Sequence, residues 1–176
     1  MNGMTVLETE RLILREMTEA DRPALQAVIG DPLTMCHFAH AYDDAGVDRW
    51  MRWCFACYEK RGFGLWAVTL RTTGEMIGDC GITMQDINGA TLPEIGYHLN
   101  RNYWRQGYGK EAARACRDWF FTHTAYDAVY SYMTDDNEPS YRTAMANGMT
   151  RRDTYTEDGT TYRVYGITRE EWQALK

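Results

Sequence analysis

The sequence predicts one α/β domain built on a single mixed sheet of about seven strands flanked by helices. Three observations support this. Period-two and helical-period stretches follow one another in the order βααβββαβαββ, which is neither strict βαβ alternation nor all-β. The 176 residues suffice for one well-buried core and fall short of two ordinary domains, so residues 1–176 read as one unit. The composition, 44% hydrophobic and 25% charged, is that of a globular chain, without repeats, low-complexity tracts or linkers.

Arg11 to Arg15 alternates with Leu12 and Leu14 on one face and reads as the first strand. Thr18 with Asp21 three residues on is an N-cap signature, followed by a helix carrying Leu25, Val28 and Ile29 inward and stopped by Gly30, Asp31 and Pro32. Residues 33–44 are irregular, and a helix from about Ala45 to Tyr58 follows. Phe63 to Leu70 is a second strand. Met76 to Met84 is a third, with Gly78 and Gly81 marking a bulge or a close backbone approach. Asp86 to Pro93 reads as a turn-rich connection into the central strand. Ala128 to Met133 is the fifth strand, and residues 138–147 form a helix begun by Asn137 and ended near Gly148. Arg152 to Thr156 and Thr161 to Ile167 close the sheet as a hairpin around Glu157, Asp158 and Gly159, and Thr168 with Glu171 caps a terminal helix.

The stretch EIGYHLNRNYWRQGYGKE, Glu94 to Glu111, organises the rest. Ile95, Tyr97 and Leu99 alternate with Glu94, Gly96 and His98 as a strand. After a polar turn, Gly107, Tyr108 and Gly109 open a helical pattern through Ala112, Ala115, Cys116, Trp119 and Phe120. Glycines at a helix N-terminus leave backbone N–H groups unpaired at the positive end of the dipole, a ready site for phosphate. Arg105 and Lys110 flank the turn; Arg114 and Arg117 read as a solvated helix face. A P-loop would need Ser or Thr after Lys110, where Glu111 stands. A dinucleotide site would need an acidic strand end about 20 residues on, which is missing.

Glu94 to Ala112, together with Asn137, Ser140, Arg142, Gly148 and Met149, resembles the GCN5-related N-acetyltransferases, in particular the branch of the ribosomal-protein N-terminal alanine acetyltransferases. The likeness runs from Glu8 to Trp172. It implies a mostly antiparallel acyl-CoA acyltransferase fold in which a bulge splays the central strand from the next and opens a V for acetyl-coenzyme A. Tyr97, His98 and Leu99 would line the pantetheine arm. Arg105, Gln106, Gly107, Tyr108, Gly109 and Lys110 would hold the pyrophosphate, with Asn137 and Arg142 as further cofactor contacts. Trp104 stands where relatives often carry Gln or Arg. A thiolate-protonating Tyr of many members falls on Ala144 here, which makes Ser140 the candidate acid. Glu94 is the candidate base, directly or through water. The acceptor implied is a small-molecule amine or a peptide N-terminus, with a homodimer left open. A non-catalytic acyl-CoA-binding module is the rival.

The formal charge of −6 argues against nucleic acid as partner. No apolar run nears the roughly 20 residues of a membrane span, so neither a membrane nor a location outside the cytoplasm is expected. Five cysteines fit free thiols. Cys54 and Cys57 with His37 and His40 could supply four zinc ligands, but the cysteines lie in a helical pattern with Val47, Trp50, Met51 and Tyr58, so no metal is expected. His37 and His40 read as surface or cap residues.

Overall fold

A computed structural model describes residues 3–176. The described residues form one sheet of eight strands in the order β1-β2-β3-β4-β5-β6-β8-β7. These are β1 (Thr5–Glu8), β2 (Leu12–Arg15), β3 (Leu65–Leu70), β4 (Met76–Ile87), β5 (Ala90–Leu99), β6 (Ala128–Thr134), β7 (Thr150–Glu157) and β8 (Thr160–Thr168). Helices α1 (Arg22–Ile29) and α2 (Asp44–Arg61) follow β2, α3 (Tyr108–His123) joins β5 to β6, α4 (Glu138–Ala146) joins β6 to β7, and α5 (Arg169–Gln173) ends the chain. All neighbours are antiparallel except β5 and β6. The strand beyond the expected seven is β1, a four-residue edge pairing with β2 whose adjacent Val6 and Leu7 give no alternating signal.

The sheet is buried on both faces. On one side Leu25, Val28, Val47, Met51 and Cys54 of α1 and α2 pack on Leu65, Ala67 and Met76. On the other, Ala112, Cys116 and Phe120 of α3 pack on Trp66, Val68, Ile77 and Ile95. Each large apolar side chain so buried is worth roughly 1.5–3 kcal/mol over exposure, which is why β3 reads as a continuous apolar run. Asp21 fulfils its cap role by accepting from the Thr18 N–H at 2.8 Å, and it also takes a two-pronged ion pair from Arg15 at 2.8 and 2.7 Å.

Two local expectations need correction, and a third is met. Residues 86–93 are no irregular connection: β4 and β5 run to a two-residue hairpin at Asn88 (φ 51°) and Gly89 (φ 84°), and the Asn-Gly pair supplies the two left-handed residues such a turn needs. Arg117 is not on a solvated face. It is 8% exposed and donates to the Asn147 carbonyl and to Asp118 at 2.8 Å, fastening α3 to the end of α4, whereas Arg114 is exposed. The bulge or close approach expected at Gly78 is present: pairing of β4 with β3 shifts between Val68 and Thr69. A side chain at Gly78 would sit 2.1 Å from the His98 carbonyl, so only glycine permits that approach.

Candidate active site

The strand β5 has two unlike edges. Along one, all ten residues pair with β4 in unbroken register, so the bulge expected in this strand is not seen in that ladder. Along the other, only Glu94 pairs with β6, opposite Tyr130. The Asn100 N–H donates to the Ile77 carbonyl at 2.8 Å while the Ser131 hydroxyl donates to the Ile95 carbonyl at 2.8 Å. Alternation along a strand therefore turns the main-chain groups of residues 95, 97 and 99 away from β4, toward β6. Ser131 caps Ile95, and the Trp104 indole N–H caps the Leu99 carbonyl at 2.9 Å. Between them Tyr97 presents its N–H and carbonyl to the opening. The splay exists, and side-chain caps rather than a bulge close its ends.

That opening is a cavity of about 660 Å³ whose walls include Ile95, Tyr97, Ser131, Asn137, Ser140 and Ala144. Behind β5, toward α2, lies a second cavity of about 400 Å³ walled by Tyr42, Arg49, Trp50 and Trp53. Phe38, Glu94, Gly96, His98 and Tyr132 line both. Glu94 and His98 share one face of β5 across Gly96, a residue without a side chain, and the Glu94 carboxyl oxygens lie 3.1 and 3.2 Å from where a Cβ on Gly96 would stand. Burial pushes the Glu94 carboxyl up to about 8.

At the far end of the cleft the chain turns into α3. Gly107 is the N-cap with φ 82°, and Arg105 is also left-handed at φ 62°. The backbone N–H groups of residues 105 to 110 donate to no acceptor among the described residues, while that of Trp104 reaches the Arg101 carbonyl and that of Glu111 reaches Gly107. Six successive free donors at a helix start are an arrangement that can receive an anion. Arg11 props it from outside by bonding the Gln106 carbonyl at 2.9 Å and Glu111 at 2.7 Å and by lying 4.3 Å over the Tyr108 ring. Burial works to raise the Glu111 carboxyl, but hydrogen bonds from Thr9 and Arg11 outweigh it and hold the group below its usual range. Gly109 has a packing reason of its own: a Cβ there would lie 3.0 Å from the Tyr97 ring.

The structure gathers most of the sequence-predicted residues along this path and separates others. Tyr97 lines the cleft, its hydroxyl bonding Thr143 of α4 at 3.1 Å. Leu99 points into the core at 6% exposure, and His98 turns its ring to the α2 side. Asn137 caps α4 by accepting from the Ser140 N–H at 3.3 Å, which fixes Ser140 on the cleft wall, where its hydroxyl has no partner among the described residues. Ala144 stands one turn further along, while Tyr141 faces away, stacked on Tyr165 under the Arg163 guanidinium. Arg142 is not brought to the cleft: it is exposed and paired with Glu138. Cys54 and Cys57 are buried in α2, and burial pushes both thiols up.

One constellation was not read from the sequence. The carboxylate of Asp79, on β4 and fully buried, bonds His98 Nδ1 at 2.7 Å and the Trp50 indole N–H at 3.1 Å. The His98 ring sits between Phe38 and Trp50, with centroids 4.9 and 5.1 Å away. The available signal was an Asp and a His at inward positions of two successive strands, which becomes a pair only once the register Asp79↔His98 is known.

Comparison with known proteins decides the family. The Acetyltransferase (GNAT) domain family matches residues 11–150. The chain belongs to the GNAT acetyltransferases. Among relatives of this acetyltransferase, the uncharacterized protein YkkB of Bacillus subtilis (strain 168) is 35% identical over 150 residues, covering 85% of this chain and 87% of YkkB. A solved acetyltransferase from Agrobacterium tumefaciens str. C58 superposes with a TM-score of 0.80 at 29% identity, covering 92% of each chain. The fold is shared as well by RimL, a ribosomal L7/L12 alpha-N-protein acetyltransferase, with a TM-score of 0.76 at 17% identity over 93% of each chain.

Proposed function

We propose that this acetyltransferase moves an acetyl group from acetyl-coenzyme A directly to a primary amine. The observation that carries the reading is one continuous path: the unpaired edge of β5 at Tyr97 leads into the six free N–H groups at residues 105–110. The cradle fits a pyrophosphate, since its donors are main chain and Arg105 and Lys110 flank it. Trp104 makes no such contact, because its indole is spent on Leu99. The open edge fits an extended amide-bearing arm, which can pair with Tyr97 as a strand would.

Three demands of the reaction find groups here. A primary amine, with a pKa near 10 on an alkyl chain or about 8 at a peptide N-terminus, arrives mostly protonated, and Glu94 takes its proton, directly or through water. With a pKa of about 8 that carboxyl is closer to the amine than an ordinary carboxylate, so transfer to it is less uphill. The Tyr97 N–H meets the oxyanion of the tetrahedral intermediate. Ser140 protonates the departing thiolate in the place where Ala144 leaves no tyrosine. Asn137 holds Ser140 at that wall by its cap; Arg142, tied to Glu138 outside the cleft, is left out.

The acceptor enters by the cavity behind β5, whose aromatic walls and single carboxylate, Glu94, suit one ammonium on an apolar body. A small-molecule amine and a peptide N-terminus both meet that description, and a fold neighbour, RimL, is named for acetylating a protein α-amine. Incubation with acetyl-coenzyme A and a mixed amine library, read by mass spectrometry, tests the proposal. Acetylated products are expected. A protein that binds acetyl-coenzyme A and acetylates nothing would be a sensing module instead.

A further inference from the structure

Resting on that reading, the Asp79–His98 pair points to a role beyond holding the fold. Asp79 has no access to solvent and receives the Trp50 indole N–H on one oxygen and the imidazole on the other. A carboxylate bonded this way accepts at both oxygens, so Nδ1 of His98 carries the proton and Nε2 keeps its lone pair. Nε2 has no partner among the described residues, and the ring borders both cavities. Phe38 and Trp50 fix its plane. His98 thus stands on the same face as Glu94, with only Gly96 between them, where acceptor and cleft cavities meet.

We propose that His98 is a second proton acceptor for the acceptor amine and that Asp79 is its positioning residue. The stoichiometry calls for one. An ammonium loses two protons on becoming an amide: one before its nitrogen attacks the thioester carbon, the second as the new C–N bond matures and the C–S bond breaks. Glu94 takes the first and His98 Nε2 the second. Ser140 gives a proton to the sulfur and regains one from solvent. Glu94 and His98 release theirs, so one amine cation and one thioester yield one amide, one thiol and one net proton. Asp79 holds Nδ1–H throughout and stabilises the imidazolium that forms.

His98→Gln removes the imidazole and with it the proton acceptor, so it should lower kcat by roughly 10²-fold while leaving acetyl-coenzyme A affinity and the KM for the amine within about twofold. Asp79→Asn presents an N–H to Nδ1, forces the proton onto Nε2, and should lower kcat to a similar extent. The double variant should be no slower than His98→Gln alone, because both remove one function. Nitrogen-15 NMR of the resting wild-type protein should show the Nδ1–H tautomer. This readout needs no turnover and still tests the pair if Asp79→Asn fails to fold. A His98→Gln enzyme as fast as wild type, losses that multiply in the double variant, or an Nε2–H tautomer would each overturn the proposal and leave the pair as a pin between α2 and the sheet. Wild-type protein that acetylates no amine would overturn the transfer reading itself, and that result appears before any variant is compared.

Discussion

The two edges of β5 carry opposite duties. Toward β4 the strand pairs at every residue, and the ladder continues through the Asn88–Gly89 hairpin. Toward β6 it pairs once and then stops. The ladder bonds given up there are partly replaced by side chains, Ser131 on Ile95 and Trp104 on Leu99, leaving Tyr97 free. The difference teaches how one strand can be held by a full ladder along one edge and still leave main-chain groups unpaired along the other. The side chains follow the same division. Ile95 and Leu99 fill the core on the α3 side, while Glu94 and His98 face the acceptor side.

The largest expected effect lies on the acceptor side. Glu94→Gln should cut the transfer rate by roughly 10²–10⁴-fold with acetyl-coenzyme A affinity little changed. Because the Glu94 carboxyl holds its proton to about pH 8, the wild-type rate should climb through that pH, and the Glu94→Gln deficit should shrink once the amine, near 10, frees itself. A steady-state pH profile checks both, and a flat profile would remove Glu94 as base.

Gly107→Val tests the far end of the open edge. At φ 82° any side chain is strained, and a Cβ there would lie 3.3 Å from the Arg11 guanidinium that braces the turn. Acetyl-coenzyme A at 100 times its dissociation constant should stabilise the wild type by about 2.7 kcal/mol, and the variant should show little of that shift in thermal unfolding. An undiminished shift in a folded Gly107→Val protein would place the phosphates elsewhere. Ser140→Ala should slow transfer by roughly tenfold or more at every pH, since a missing acid is not replaced by raising pH; wild-type kinetics, where chemistry limits the rate, would leave water as the donor.

Much of this architecture was legible in the sequence, and the reasons are local. Glu94, Gly107 and the caps at Thr18, Asn137 and Thr168 announce themselves through spacing within a few residues, and so did the path from strand to cradle. What escaped depends on partners distant in sequence. Arg117 resembles its exposed neighbour Arg114 until α4 is placed over it. The face on which His98 lies follows from strand parity, yet its bond to Asp79 needs the β4–β5 register. Arg142 is a different case: it matched the family pattern, yet its partner is local, Glu138 one turn back on the exposed face of α4. The Asn-Gly turn was local and readable, and the run of polar residues around it obscured two strand ends.

Smaller effects sharpen the contrast at the vertex of the cleft. Glu94 is raised in the folded state, so its contribution to stability is full below the unfolded value near 4.3 and is lost as pH rises through about 8. Glu94→Gln should therefore gain stability relative to wild type between pH 5 and 8, read by denaturant midpoints, and equal slopes for both proteins would contradict the buried carboxyl. Ser131→Ala removes the cap on Ile95 and should cost about 0.5–1.5 kcal/mol, measured in the same way.

The central claim, that the unpaired edge of β5 is where acetyl-coenzyme A lies, is tested most directly by residue-resolved amide hydrogen exchange with and without saturating acetyl-coenzyme A. The Tyr97 amide should exchange readily in the free protein and become strongly protected in the complex, together with amides of residues 105–110, while those of His98 and Asn100, already bonded to β4, stay unchanged. A Tyr97 amide whose exchange is the same in both states would contradict the account.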